Sequence, residues 1–191
     1  MKREGERHGR KVEGCVPRAA SGVDDDPAVR DTHPTKRPGP DPQSKGMVDI
    51  SAKGVTERTA RAVGSILLGP AAFEALRRGA CPKGDVLATA KVAAIQAVKA
   101  TPTIIPMCHP ILVEGIDVDF SLREADASVD VTVAVKSTGK TGVEMEALHG
   151  VAAACLTIYD MLKYTGKGMT IEQIGLREKT GGRSGHYQRT D

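Results

Sequence analysis

The chain has 191 residues and 40% hydrophobic content, enough for one modest domain with a real core. Its formal net charge of +3 is too mild to argue for nucleic acid, and no run approaches the ~18 continuous apolar residues of a membrane span. Tryptophan is absent and aromatics make up 3%, so the core must come from Ala, Val, Ile, Leu and Met, packed through small side chains of the kind that often meet another subunit.

Residues 1–46 hold six of the eleven prolines, the acidic run Asp24–Asp26 and many basic residues, without a sustained apolar pattern. This composition predicts a disordered tail, with the folded domain spanning residues 47–191. His8, Cys15 and His33 fall in the tail, where no scaffold would hold a catalytic group in place. The amino terminus also lacks the apolar segment of a signal peptide, so a cytoplasmic location is expected. Cys15, Cys81, Cys108 and Cys155 are scattered, without the paired spacings of a zinc site or redox dithiol, so reduced thiols and no metal are expected.

Order is expected to begin with a short strand at Met47–Ser51. Thr56–Leu68 spreads alanine over both faces and is ambiguous between helix and strand, with strand preferred. A short helix over 70–79 should end at Gly79 in a left-handed cap. From Gly84 to Ala100, Val86, Ala90, Ala93, Ala97 and Ala100 recur at helical spacing, and Asp85 stands where a helix start favours negative charge. Ile116–Leu122 and Val129–Val135 alternate apolar and polar residues, which predicts a hairpin turning near Asp126.

A long helix is expected over 143–164, with an apolar stripe through Ala147, Val151, Ala154, Ile158 and Met161. A Gly166–Gly168 break, a strand over 169–179 and the glycine-rich Thr180–Tyr187 complete the pattern. Strand, helix, hairpin, helix, strand is the order of a ferredoxin-like α+β sandwich, an antiparallel sheet covered by helices on one face.

Several strings carry chemistry, each with a plainer reading beside it. Ser137–Gly142 (STGKTG) imitates the end of a phosphate loop, but Ala134 stands where the motif needs glycine and two carboxylates follow, so a plain glycine turn capping a hairpin is the reading preferred. Glu144 and Glu146 either favour a helix amino terminus or line a site, and a spacing of two keeps them from pointing the same way inside a regular helix. Asp160 and Lys163 share a helix face four turns beyond Glu146, so these three either rim one cleft or leave an exposed ion pair of little consequence. Pro106–Pro110 (PMCHP) sets Cys108 and His109 in a rigid loop, with His109 either structural or a substrate ligand. Lys83, just ahead of a helix start, either reaches an anion or is solvated.

Taken together, KGDVLATAKVAAIQAVKATPTIIPMCHPILVEGIDVDF, STGKTGVEMEAL, LTIYDMLK and KTGGRSG resemble the cyclic pyranopterin monophosphate synthase family of molybdenum cofactor biosynthesis, over Met47 to about Tyr187. The resemblance implies a lyase acting on (8S)-3',8-cyclo-7,8-dihydroguanosine 5'-triphosphate, and a homo-hexamer built as a trimer of dimers. It implies functional roles for Asp160, Lys83 and Lys163, and substrate contacts from Met107, Cys108, His109, Met145 and Glu146, with Glu144, Arg58 and Lys179 as further site positions. It departs from the family at His149, where a small or hydroxyl residue is usual, and at Arg183, where lysine is common.

The implied chemistry suits these residue types. An Asp and Lys pair with shifted pKa values would carry the proton transfers of ring opening and closure. Cationic side chains would hold the phosphates as the cyclic phosphate closes, with no cofactor or metal. A helix-start Lys83 and a helix-end Asp160 are expected to reach one site from different subunits. A nucleotide-binding module that has lost the reaction, and nucleic-acid binding by the basic tail, are the competing classes.

Overall fold

The computed structural model describes residues 46–190, so the expected disorder of residues 1–45 lies outside the described residues. In chain order the elements are β1 (Thr56–Leu67), α1 (Pro70–Arg77), α2 (Val86–Ile104), β2 (Val113–Arg123), β3 (Ser128–Gly139), α3 (Glu144–Leu162), β4 (Thr170–Thr180) and β5 (Tyr187–Gln188). The strands form one antiparallel sheet in the order β2-β3-β1-β4-β5, the ferredoxin-like arrangement with a short added edge strand.

The ambiguous alanine-rich segment is the central strand. β1 pairs with β3 from Thr56↔Gly139 to Leu67↔Ser128 and with β4 on its other side. Its small residues have a packing cause: a Cβ at Gly64 would sit 2.7 Å from Val151 Cγ1, because α3 crosses the sheet closely there. Ala60, Ala62 and Ile66 of β1 and Val129, Val131, Val133 and Val135 of β3 point into the layer between sheet and helices. From above, α3 closes it with the predicted stripe Ala147, Val151, Ala154, Ile158 and Met161, all buried.

Four expectations are corrected. Met47–Ser51 is not a strand: Asp49 accepts hydrogen bonds from Ser51 N at 2.8 Å and Ser51 Oγ at 2.6 Å, and Lys53 N donates to Ile50 O at 3.0 Å, which folds the segment into turns. Both edges of β1 are already paired, so the segment has no central strand to join. The second helix starts at Val86, capped by Asp85, whose carboxylate accepts from Ala88 N at 2.9 Å, and runs past Ala100 to Ile104 with Pro102 inside. Its buried face is Val86, Ala90, Ala94, Ala97, Val98 and Thr101, not Ala93 and Ala100, because α2 must contact both the sheet and α3. Finally, β5 adds two residues beyond the expected last strand, pairing Glu178↔Gln188 and Lys179↔Tyr187 across the glycine-rich turn.

The helix stop at Gly79 is as expected: its φ is 61°, and Ala80 N donates to Ala75 O at 3.0 Å. The hairpin between β2 and β3 turns at Glu124–Ala127.

Candidate active site

The residues singled out from sequence gather at the two ends of α3. Glu146 and Asp160 stand fourteen residues apart on one continuous helix, about 21 Å along its axis. Of the two readings, the shared cleft fails within one chain, because four turns of helix separate them.

At the carboxyl end, Lys83 Nζ donates to Asp160 Oδ2 at 2.6 Å and to Asp160 O at 3.2 Å, while Lys163 Nζ lies 2.7 Å from Asp160 Oδ1. Lys83 and Asp160 therefore meet within one subunit, which overturns the expectation that they come from different chains. The connection between α1 and α2 is tied down to make this possible. Cys81 Sγ donates to Met161 O at 3.2 Å and Tyr164 Oη to Ala80 O at 3.2 Å, which presents Lys83 to the end of α3. Two ammonium groups at a helix carboxyl terminus also match the negative end of its dipole.

These three side chains are 51–53% exposed, so water screens their attraction and the cluster adds little to stability. Hydrogen bonds from Lys163 and Lys83 hold the Asp160 carboxyl down to about 2, and Asp160 in turn pushes the Lys163 ammonium up. The shift therefore runs away from neutrality: Asp160 is a firmly ionised anchor for two cations and a weak proton acceptor at neutral pH.

At the amino end, Met107, Cys108 and His109 face Thr141, Gly142, Glu144, Met145 and Glu146 across a cavity of about 260 Å³. The chain reaches it from STGKTG, in which Ser137–Gly139 end β3 and Lys140–Gly142 link it to α3, rather than capping a hairpin. Lys140 Nζ donates to Ser51 O at 2.8 Å, and the Glu144 carboxylate folds back over Gly142 where a Cβ would otherwise sit. Glu144 is the first residue of α3 and Glu146 lies in its first turn, and both line the cavity despite a spacing of two. Glu144 pairs with Lys179 at 3.3 Å, whereas Glu146 is buried.

Burial pushes the Glu146 carboxyl up, opposed by its own backbone N–H and reinforced by the charge of Glu144. Burial and the Glu146 charge also raise the Cys108 thiol. Lys179 further donates to Ser184 Oγ.

Arg58 lies beneath the glycine-rich turn, nine-tenths buried, and its Nε is the buried side-chain nitrogen or oxygen without a hydrogen-bond partner among the described residues. A Cβ at Gly182, whose φ is 72°, would overlap the Arg58 guanidinium, so only glycine lets the turn close over it.

Eight predicted site residues thus lie at or behind the amino end of α3 and three at its carboxyl end. Thr141, Gly142 and Ser184 join the amino-end group without having been singled out individually. Their signal was present in STGKTG and KTGGRSG, but glycine turns look alike until their neighbours are known. A larger depression of about 380 Å³ on the uncovered sheet face, lined by Thr59, Arg61, Asp117, Lys136 and Glu178 among others, holds none of the predicted residues.

The model of the MoaC family matches residues 47–182. The cyclic pyranopterin monophosphate synthase of Heliobacterium modesticaldum is 51% identical over 145 residues, 76% of this chain and 91% of that protein. The protein of the same name from Streptomyces coelicolor is 46% identical over 170 residues, 89% of this chain and 96% of its own length. That from Streptomyces avermitilis is 50% identical over 144 residues, 75% and 84% of the two chains.

Proposed function

Because the chain belongs to the MoaC family, we infer that it is a lyase of molybdenum cofactor biosynthesis, converting (8S)-3',8-cyclo-7,8-dihydroguanosine 5'-triphosphate to cyclic pyranopterin monophosphate with release of diphosphate. The observation that supports the residue roles is the segregation of two chemistries at the ends of α3, paired ammonium groups around Asp160 and a buried acid beside His109.

The roles divide accordingly. Lys83 and Lys163 receive triphosphate charge, and Asp160 holds both ammonium groups in place and charged. As the sugar hydroxyl attacks the α-phosphorus and diphosphate leaves, fixed cations stabilise the growing negative charge without a metal or cofactor. Glu146, whose carboxyl is raised toward neutrality, is the proton carrier for opening and re-closing the rings, with Glu144, Met145 and Met107–His109 holding the pyrimidinone edge. Arg58 and Lys179 brace this end from behind, toward the same substrate.

Neither end suffices alone. The amino-end cavity falls below the ~300 Å³ at which small-molecule sites begin, and the lysine cluster lies about 21 Å from it. The proposal therefore includes a homo-hexamer, a trimer of dimers, in which the Asp160 end of one subunit faces the Glu146 end of its neighbour. It also includes a cytoplasmic location and no nucleic-acid or membrane partner; no described helix is long and apolar enough to cross a membrane.

The decisive experiment supplies the substrate from the radical enzyme that makes it and measures pyranopterin formation together with diphosphate release. Stoichiometric appearance of both is expected. Substrate binding without conversion would mean a nucleotide-binding module that has lost the reaction.

A further inference from the structure

We propose that His149 is a positioning residue of the amino-end site, fixing the exit of α2, and with it Met107–His109, against the first turn of α3. The inference rests on the reading that these two segments share a substrate.

The last turn of α2 is weakened by its own sequence. Pro102 lies inside the helix and has no N–H, so the Val98 carbonyl loses its helical donor just before the chain leaves for the site. A side-chain link compensates. Thr101 is fully buried, its Oγ1 donates to Ala97 O at 3.0 Å, and the same oxygen lies 3.2 Å from His149 Nδ1. A hydroxyl has one hydrogen, already given to Ala97, so Nδ1 carries the proton and His149 is the donor.

From Thr101 the path to the site is continuous. Ile105 N donates to Thr101 O at 2.8 Å and Cys108 N to Ile105 O at 3.1 Å, which hands the position of Thr101 on to the loop wall. On the other side, His149 follows Glu146 by one turn of α3. Gly150 beside it lets the helices approach: a Cβ there would sit 3.0 Å from Val98 Cγ2 and 3.1 Å from Val133 Cγ1. One imidazole thus sets the spacing between the wall carrying Cys108 and His109 and the wall carrying Glu146.

The test reads loop position separately from turnover. In the full-length protein, alkylation of Cys108 by iodoacetamide is followed by peptide mass spectrometry at fixed pH, and KM and kcat are measured in parallel. His149→Leu removes the donor, Thr101→Val removes the acceptor with little change of shape, and His149→Asn keeps an N–H donor near the position of Nδ1.

The Leu and Val variants should each label Cys108 about fivefold faster and raise KM about tenfold with a smaller change in kcat, since a shifted wall loosens substrate contacts. The Asn variant should return both readouts to within about twofold of the parent, and the Leu–Val double variant should be no worse than either single change. Unchanged labelling and KM in Thr101→Val, or an Asn variant as defective as Leu, overturns the proposal. Thr101→Val and His149→Asn decide the matter even if the Leu variant does not fold. An inactive parent protein would refute the proposed function while the labelling series still answered for His149.

Discussion

The two ends of α3 treat the same functional group in opposite ways. At Asp160 the carboxylate stands half in water between two ammonium groups and is held ionised, whereas at Glu146 it is buried beside another carboxylate and resists ionisation. Ionic partners dominate at the first position and lost hydration at the second. Residue type alone therefore does not say which acid carries protons; the surroundings shift the two carboxyls in opposite directions.

The sharpest break of this comparison is Asp160→Asn. It removes the charge that gathers Lys83 and Lys163 while keeping the side-chain shape, so product formation should fall by a factor on the order of 10³ or more. Melting should barely move, because the cluster is half-exposed. A large loss of melting temperature with substantial turnover would make it a structural ion pair.

Glu146→Gln comes next, with an expected turnover loss of about 10²-fold. Its stability effect has the opposite sign to that of a typical salt-bridge deletion. A carboxyl whose folded pKa is raised binds its proton more tightly in the native state, so stability is lost as pH rises from the unfolded value through the folded one. The Gln variant should therefore melt above the parent at pH 7, and the gap should close by about pH 3, where the parent Glu is protonated in both states. Equal melting at both pH values would mean that Glu146 ionises without cost.

Mixing variants asks whether the two ends meet across subunits. Asp160→Asn and Glu146→Gln chains, refolded together, should regain activity at about a quarter of the sites, the fraction that draws both intact residues at random. Lys83→Ala with Asp160→Asn should regain none, since that pair belongs to one chain. Restoration by the second mixture and not the first would invert the proposed assembly.

The smallest effect is expected from removing residues 1–45, whose composition supplies no apolar periodicity for a core. Turnover and melting should match the full chain within error. A lost cooperative transition would show that the segment contributes to the fold.

Much of this protein is legible in one dimension. The alternation in β2 and β3 and the helical stripe of α3 follow from local periodicity, and their order dictates the ferredoxin-like sheet. The short motifs name the chemical groups, since PMCHP and GVEMEAL carry the Cys, His and Glu residues that line the amino-end cavity. Other features depended on what each segment meets in the fold. β1 is a strand because β3 and β4 pair with both its edges, with Gly64 leaving room for Val151 of α3, and α2 turns its buried face to meet α3; Met47–Ser51, by contrast, turns on the local contact of Asp49 with Ser51.

The same division runs through the site. Sequence determined which acids, lysines and histidines were available. Only tertiary structure decided that Lys83 meets Asp160 within one subunit, that Met107–His109 face the first turn of α3, and that burial lifts one carboxyl while paired ammonium groups depress the other. The physical reason is that a pKa and a cleft are properties of surroundings, and the surroundings of Lys83 and Asp160 were 77 residues apart until the chain folded.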